Sequence, residues 1–108
     1  MIKVCAVEEI APGTAIRSDV DGVEVAVVRT GDGQVFAVHD VCSHQEVPLS
    51  EGEIDGCTVE CWLHGSRFDL RTGEPTGPPA TQPVPTFPVE IRDGFVFVSL
   101  TPSNGVSL

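Results

Sequence analysis

Basic residues are scarce in this chain of 108 residues, which carries 6 Lys and Arg against 16 Asp and Glu. The formal net charge of −10 argues against nucleic acid as a partner, because its phosphates would repel the protein, and against anionic membrane surfaces. Such a charge suits encounter with basic patches on partner proteins, accelerated at low salt. Acidity that only keeps a protein soluble would give the same composition, so charge alone does not decide between these interpretations.

Long apolar stretches are also lacking. No segment approaches the roughly 18 apolar residues of a membrane span, and Lys3, Glu8 and Glu9 interrupt the apolar run that a signal peptide would need. The sequence contains no internal repeat, coiled-coil heptad or long amphipathic helix. We therefore expect a single cytoplasmic domain, large enough for a modest core.

Short strand-like segments separated by turn residues predict an all-β fold, a sandwich or barrel-like arrangement. A helical turn is predicted around residues 8–10, and Asp21-Gly22 and Asp93-Gly94 are hairpin signals. The predicted strands are 2–7, 14–18, 23–30, 34–38, a short strand within 51–56, 57–61, 66–70, 87–92 and 95–100.

Two regions are predicted to lack regular secondary structure, a proline-rich segment and the polar tail. Six of the nine prolines lie in residues 73–88, counting Pro88 itself, and they exclude a central strand there. We expect this segment to form an ordered covering loop. The polar tail, residues 101–108, is predicted to be mobile.

Two cysteine–histidine pairs carry the chemistry of the sequence. Cys42-Ser43-His44 is followed by sixteen residues and then by Cys61-Trp62-Leu63-His64. A thiolate is a soft, charged ligand that suits iron bound to sulfide, whereas an imidazole is neutral and borderline. Two such pairs fit a two-iron, two-sulfur cluster with both cysteines on one iron and both histidines on the other, the ligand set of a Rieske centre.

This pattern resembles the Rieske family, and in particular the small ferredoxins that supply electrons to bacterial aromatic-ring-hydroxylating dioxygenases. The resemblance extends from Val4 to about Leu100 and includes Gly77-Pro78-Pro79-Ala80, which matches the proline loop covering the cluster in that family. It implies a Rieske fold, with an antiparallel β-sandwich base of residues 1–38 and 82–108 and a small inserted cluster-binding subdomain of residues 39–81.

The function implied by the resemblance is that of a soluble one-electron carrier rather than an enzyme. It implies one [2Fe-2S] cluster bound by Cys42, His44, Cys61 and His64, with the two histidines at the exposed tip. The expected partners are a flavin-dependent ferredoxin reductase and a terminal oxygenase or another redox acceptor, with no nucleic acid and no membrane. The protein is expected to be a monomer.

Two sequence features predict a low reduction potential. In high-potential members a serine and a tyrosine hydroxyl after the second histidine bond to sulfur, whereas this chain has Ser66 but Phe68, and no tyrosine at all. Respiratory members also link their cluster loops by a disulfide, and the matching positions here are Val47 and Leu63. Both differences favour the low end of the Rieske range of roughly −150 to +300 mV, near or below about 0 mV.

Several further residues have competing interpretations. Trp62 suits either a cover or docking aromatic near the cluster, or ordinary packing. His39 is better explained as a solvated or locally hydrogen-bonded side chain than as a ligand. Cys5 and Cys57 lie in strand-like runs and are predicted to be buried free thiols. The acids of the cluster segment form either a docking surface for basic partner residues or an ordinary solvated protein surface. They are Glu46, Glu51, Glu53, Asp55, Glu60, Asp69 and Glu74.

Other protein classes fit the sequence less well. Structural zinc sites more often place two cysteines in one pair and two histidines in the other. An oxygenase needs a further iron held by two histidines and a carboxylate, and only His39 remains after the cluster is built. The small subunit of nitrite reductase usually lacks the ligands, and a ferredoxin serving iron–sulfur assembly remains an alternative.

Overall fold

A computed structural model describes residues 1–43, 47–63, 65–78 and 80–106. Within these residues the chain forms ten short strands and two 3₁₀ turns, Val7–Glu9 and Leu49–Glu51. The strands are β1 Ile2–Ala6, β2 Thr14–Val20, β3 Val23–Arg29, β4 Val35–His39, β5 Ile54–Asp55, β6 Thr58–Glu60, β7 Arg67–Asp69, β8 Thr86–Phe87, β9 Val89–Arg92 and β10 Phe95–Val98. The all-β prediction is confirmed; the turn at Leu49–Glu51 was not predicted.

The strands form three antiparallel sheets. Their orders are β1-β10-β9, β2-β3-β4-β8 and β5-β6-β7. The third sheet lies inside the segment 39–81, and the boundaries of that segment as a subdomain stay a prediction. No helix in the described part of the chain is long and apolar enough to cross a membrane.

The central strand β3 is apolar on both faces because a core lies on each side of its sheet. Val25 and Val27 pack into one cluster with the inward side chains of β10, Val96 and Val98. The intervening Ala26 and Val28 pack into a second cluster that contains both Cys42 and Cys61. Since alternate side chains of a strand point to opposite faces, the sheet separates the structural core from the core beneath the cysteines.

Two hairpins have the turn chemistry that the sequence predicts. Asp93 and Gly94 both have positive φ, 52° and 79°, as do Asp21 and Gly22, 49° and 81°. Positive φ at both central residues defines the type I′ turn, whose twist matches that of the flanking strands. The β9–β10 and β2–β3 pairs are therefore held in register by their turns.

The single strand predicted for residues 87–92 is wrong. Pro88 divides it into β8, which pairs with β4, and β9, which pairs with β10. Proline has no backbone N–H to donate to a ladder, so strand pairing is interrupted there. The chain passes from one sheet to another at this residue.

The tail predicted to be mobile is instead fixed as far as the structure describes it. The Ser103 N–H donates to the carbonyl of Thr86 at 2.7 Å, and the Asn104 side chain makes several bonds of its own. Composition alone did not reveal these partners because they lie about 20 and 32 residues away in the sequence. Ser107 and Leu108 lie outside the described residues.

Candidate metal centre

The first cysteine pair begins a loop directly after β4. The Cys42 thiol is buried, with 2% of the residue exposed. Its backbone N–H donates to the carbonyl of Val47 at 3.0 Å, which closes the loop on itself. The predicted ligand His44 falls between these two residues and lies outside the described part of the chain, together with Gln45 and Glu46.

The second pair begins a similar loop after β6. Cys61 is 1% exposed and its N–H donates to the carbonyl of Ser66 at 2.6 Å, while the Gly65 N–H donates back to the Cys61 carbonyl at 2.9 Å. Gly65 has a φ of 77°, a conformation that glycine adopts without strain, so the predicted tight turn is confirmed. The predicted ligand His64 lies outside the described residues.

The donors present fit an iron–sulfur cluster. Cys42 and Cys61 belong to one set of buried side chains together with Phe68, Leu70 and Ala80. Each thiol stands at the start of a loop that its own backbone closes. Two thiols brought to one apolar region are the soft half of a Rieske ligand set, and surrounding apolar side chains limit the access of water to it.

A buried carboxylate that sequence reasoning missed fixes the first loop. Asp40, two residues before Cys42, has a fully buried side chain. It accepts hydrogen bonds from the backbone N–H of Ser50 at 2.6 Å and from the Ser50 hydroxyl at 2.7 Å, and the Arg17 Nε lies 3.7 Å away. The residue that precedes the loop is thereby bonded to the 3₁₀ turn that follows it. An acid just before the cysteine, with serine soon after the loop, was the available signal.

The proline segment, defined as residues 74–85, is tethered to both cysteine loops. The Ala80 N–H donates to the Ser66 hydroxyl oxygen at 3.0 Å, and the Ser43 hydroxyl donates to the carbonyl of Gln82 at 2.5 Å. The Thr76 N–H also donates to the carbonyl of Arg67 at 2.8 Å. These contacts confirm an ordered segment lying against the loops; Pro79 lies outside the described residues. Because the Ser66 hydroxyl accepts here, its own hydrogen remains available for another acceptor.

Phe68 is buried among the same side chains as the two cysteines. Its ring offers no hydrogen-bond donor, as the sequence indicated. Val47 is half-buried and Leu63 is 40% exposed, and neither side chain can form the cross-link found at the matching positions of respiratory members.

Two large apolar side chains of the second loop are exposed to solvent. Trp62 is 49% exposed beside the exposed Leu63, so it is not a core residue, and its role near the cluster stays a prediction. Two acids of the segment are paired with cations, Glu60 with Arg67 at 2.9 Å and Asp69 with Arg71 at 3.2 Å. Exposed acids are Glu51, Glu53, Asp55 and Glu74.

The remaining candidates are His39, Cys5 and Cys57. His39 is half-buried at the end of β4 and borders an open cavity of about 520 Å³ with Arg17 and Glu24. Burial lowers its pKa, and the carboxylates of Glu24 and Asp40 oppose that shift. Cys5 and Cys57 are free thiols as predicted, although both are half-buried rather than buried.

Comparison with known proteins identifies the family. The profile of the Rieske [2Fe-2S] domain matches residues 1–88. The chain belongs to the Rieske [2Fe-2S] domain family. Its cofactor is accordingly one Rieske-type [2Fe-2S] cluster.

Rieske relatives match nearly end to end. The chain is 42% identical to Ferredoxin CarAc of Metapseudomonas resinovorans, over 91% of this chain and 92% of the relative. It is 40% identical to the biphenyl dioxygenase ferredoxin subunit of Pseudomonas sp. strain KKS102, over 92% of this chain and 91% of the relative. A chain in the solved complex of reduced oxygenase and oxidized ferredoxin in carbazole 1,9a-dioxygenase aligns with a TM-score of 0.87, 41% identity and 94% of both chains.

Proposed function

We propose that this Rieske protein is the ferredoxin component of a multicomponent oxygenase system acting on aromatic rings. It would accept one electron at a time from a flavin-dependent reductase and deliver it to a terminal oxygenase. The observation that carries this proposal is the pair of buried thiols, Cys42 and Cys61, at the starts of two closed loops. Relatives named as ferredoxin components of dioxygenase systems match the chain over nearly its whole length.

The proposed ligands are Cys42 and Cys61 for one iron and His44 and His64 for the other. The bound cluster supplies a one-electron redox couple. The protein's part is to hold the thiols in an apolar region through Asp40 and the loop-closing backbone bonds. It also keeps water away on the side covered by the proline segment.

We also propose where a redox partner docks. Trp62 and Leu63 are exposed large apolar residues immediately before the proposed ligand His64. An exposed aromatic side chain beside a redox centre gives a partner an anchor close to the cluster, because Trp buries a large area on contact. The exposed acids nearby favour partner surfaces rich in Arg and Lys.

Further assignments accompany this function. The protein is proposed to act in the cytoplasm as a monomer, with residues 39–81 as the cluster-binding subdomain and residues 1–38 and 82–108 as its base. The catalytic iron of the oxygenase belongs to the partner, so the chain by itself is not proposed to hydroxylate any substrate.

Reconstitution tests the function. A flavin reductase, NADH and an aromatic-ring dioxygenase lacking its ferredoxin are mixed with or without this protein, and the hydroxylated product is measured. Product should form only when the protein is present. Trp62→Ala should weaken the apparent affinity for the oxygenase more than the matched variant Ile91→Ala, an exposed apolar residue on β9. A reduced protein that transfers no electrons to any such oxygenase would point to another acceptor, such as an iron–sulfur assembly system.

A further inference from the structure

The amide side chain of Asn104 uses its hydrogen-bonding groups on three separate parts of the chain. Its Nδ2 donates to the carbonyl of Thr72 at 2.9 Å and to the carbonyl of Val84 at 2.8 Å. Its Oδ1 accepts from the N–H of Thr86 at 3.2 Å and from the N–H of Val106 at 3.2 Å. An asparagine side chain has two donor hydrogens and one acceptor oxygen with two lone pairs, so this amide is fully used.

Two partners of Asn104, Val84 and Thr86, lie at or just after the carboxyl end of the proline segment. Val84 is buried in the same cluster as the cysteines, and its N–H donates to the carbonyl of Gly73 at 2.9 Å. Thr86 is the first residue of β8 and pairs with Val38. Asn104 therefore joins the turn after β7, the end of the proline segment and the start of β8.

The packing at this junction is too close for a side chain at Gly73. A Cβ placed on Gly73 would lie 2.1 Å from the carbonyl oxygen of Val84 and 2.6 Å from the Nδ2 of Asn104. Such distances are far below van der Waals contact. The turn, the segment and the amide are thus pressed together, and a change in one displaces the others.

The proline segment is also attached to both cysteine loops, through Ser43 to Gln82 and through Ser66 to Ala80. It is attached to β4 as well, where the His39 N–H donates to the carbonyl of Pro85 at 2.9 Å. At the amino end of the segment, the Thr76 N–H donates to the carbonyl of Arg67 on β7 at 2.8 Å. Only Asn104 brings a side chain from the chain's tail to this segment among the described residues.

We propose that Asn104 is a positioning residue for the Rieske centre: it clamps the proline segment over the two cysteine loops and so controls how water reaches the cluster. The clamp acts through Val84 and Ala80 and touches no ligand. Access of water matters because hydration favours the more negative, reduced cluster and also opens a route to loss of iron. The inference depends on the proposed ligands Cys42 and Cys61.

The test is Asn104→Asp in the full-length, cluster-loaded protein. The carboxylate keeps the shape and both acceptor positions but loses the two donor hydrogens that bind Thr72 and Val84. Loss of the cluster's visible absorption to an excess of an iron chelator should become about tenfold faster, since local opening becomes easier when these bonds are removed. The midpoint potential is measured in Asn104→Ser, because the carboxylate of Asn104→Asp adds a negative charge that itself lowers the potential. In Asn104→Ser the potential should rise, because water reaches the reduced cluster more readily.

The control is Asp19→Ala, which removes one exposed hydrogen bond that the Gly22 N–H donates to the Asp19 carboxylate in the β2–β3 turn. Unfolding in denaturant is measured for both variants so that the rates are compared at known stability. If Asn104→Asp does not fold, Asn104→Ser, which shortens the side chain without adding charge, is measured instead.

A chelation rate and a potential that match those of Asp19→Ala would overturn the proposal and leave Asn104 with a purely structural role. A native spectrum in Cys42→Ser would instead overturn the ligand assignment. Neither measurement uses a redox partner. A negative result for the Asn104 proposal is therefore distinguishable from a failure of the proposed electron transfer to an oxygenase.

Discussion

Phe68 is the residue that most directly bears on the reduction potential. Its ring is buried with both cysteines and cannot donate a hydrogen bond, whereas high-potential members of the family have a tyrosine hydroxyl there. The reduced cluster carries one more negative charge and benefits most from donors to sulfur. Losing that donor lowers the potential, and we propose a value near or below about 0 mV.

Phe68→Tyr should raise the midpoint potential. A hydrogen bond to a charged group contributes about 1.5–3 kcal/mol, which for one electron corresponds to roughly 60–130 mV. Redox titration monitored by visible absorption checks this, with Phe68→Leu as the control that changes packing without adding a hydroxyl. An unchanged or lower potential in Phe68→Tyr would show that no sulfur lies within reach of the new hydroxyl.

Cys5 should react slowly with alkylating reagents. Its pKa is raised, chiefly by burial and further by the nearby carboxylate of Glu9. Because the thiolate is the nucleophile, a raised pKa leaves less of it at pH 8. Iodoacetamide labelling followed by peptide mass analysis should show slower modification of Cys5 in the native protein than in the denatured one, with the gap narrowing as pH rises.

Glu9→Gln serves as the matched variant for this measurement. The amide oxygen can still accept the bond that the Ala6 N–H donates to Glu9 at 2.6 Å, but the negative charge is gone. Labelling of Cys5 should become faster at pH 8. Native labelling as fast as in the denatured protein would contradict the raised pKa.

At the scale of elements, alternation and turn chemistry predicted most of the strands. Val23–Arg29 and the two Asp-Gly turns follow from local residue preference, and the structure confirms them. The change of sheet at Pro88 and the attachment of Asn104 depend on partners distant in the sequence, which no local pattern reveals. The same holds for Asp40 and its bonds to Ser50.

The two cysteine loops show how far the site was predictable. Spacing identified Cys42 and Cys61, and the structure brings both thiols into one buried cluster. Assignment of His44 and His64 stays a prediction, since both lie outside the described residues. The tethering of the proline segment by Ser43 was not foreseen, because a serine between two ligands carries no signal of its own.

Gly52→Ala should disrupt the third sheet. A Cβ at this position would lie 1.6 Å from the carbonyl oxygen of Glu60, the residue before Cys61. Since backbone must move to relieve the contact, we expect a loss of stability of about 1–3 kcal/mol or more and reduced iron content in the purified protein. Denaturant unfolding and iron analysis measure both.

Gly31→Ala is the matched control, because a Cβ at Gly31 meets no atom within 4 Å. It should retain full iron content and near wild-type stability. Equal behaviour of Gly52→Ala and Gly31→Ala would mean that the loop after Leu49–Glu51 shifts freely and does not position the second cysteine.

Across the whole molecule, the few cations are already engaged. The Lys3 Nζ lies 3.7 Å from the centroid of the Phe95 ring, and the Arg29 Nη1 donates to the carbonyl of Ile10 at 3.0 Å. The other arginines form ion pairs with neighbouring acids: Arg17 with Glu24, Arg67 with Glu60, Arg71 with Asp69 and Arg92 with Glu90. Most acids in the part of the chain that the structure describes therefore have no cationic partner. With a net charge of −10, the molecule presents a negative field to approaching proteins.

Electron transfer to a partner with a basic docking surface should weaken with salt. Screening shortens the reach of the field to about 10 Å at 0.1 M ionic strength, so the association rate should fall by about tenfold or more between low and physiological salt. Stopped-flow oxidation of the reduced protein by its oxygenase measures this. A rate independent of salt would assign docking to apolar contact alone.

The ligand set is the central claim, and nitrogen hyperfine spectroscopy of the reduced protein tests it most directly. We predict hyperfine couplings from two imidazole nitrogens. One coupling should be lost in His44→Cys and one in His64→Cys, whereas both should be retained in His39→Gln. Cys42→Ser and Cys61→Ser should lack the native visible spectrum. A spectrum without imidazole nitrogen, or one that only His39→Gln alters, would contradict the account.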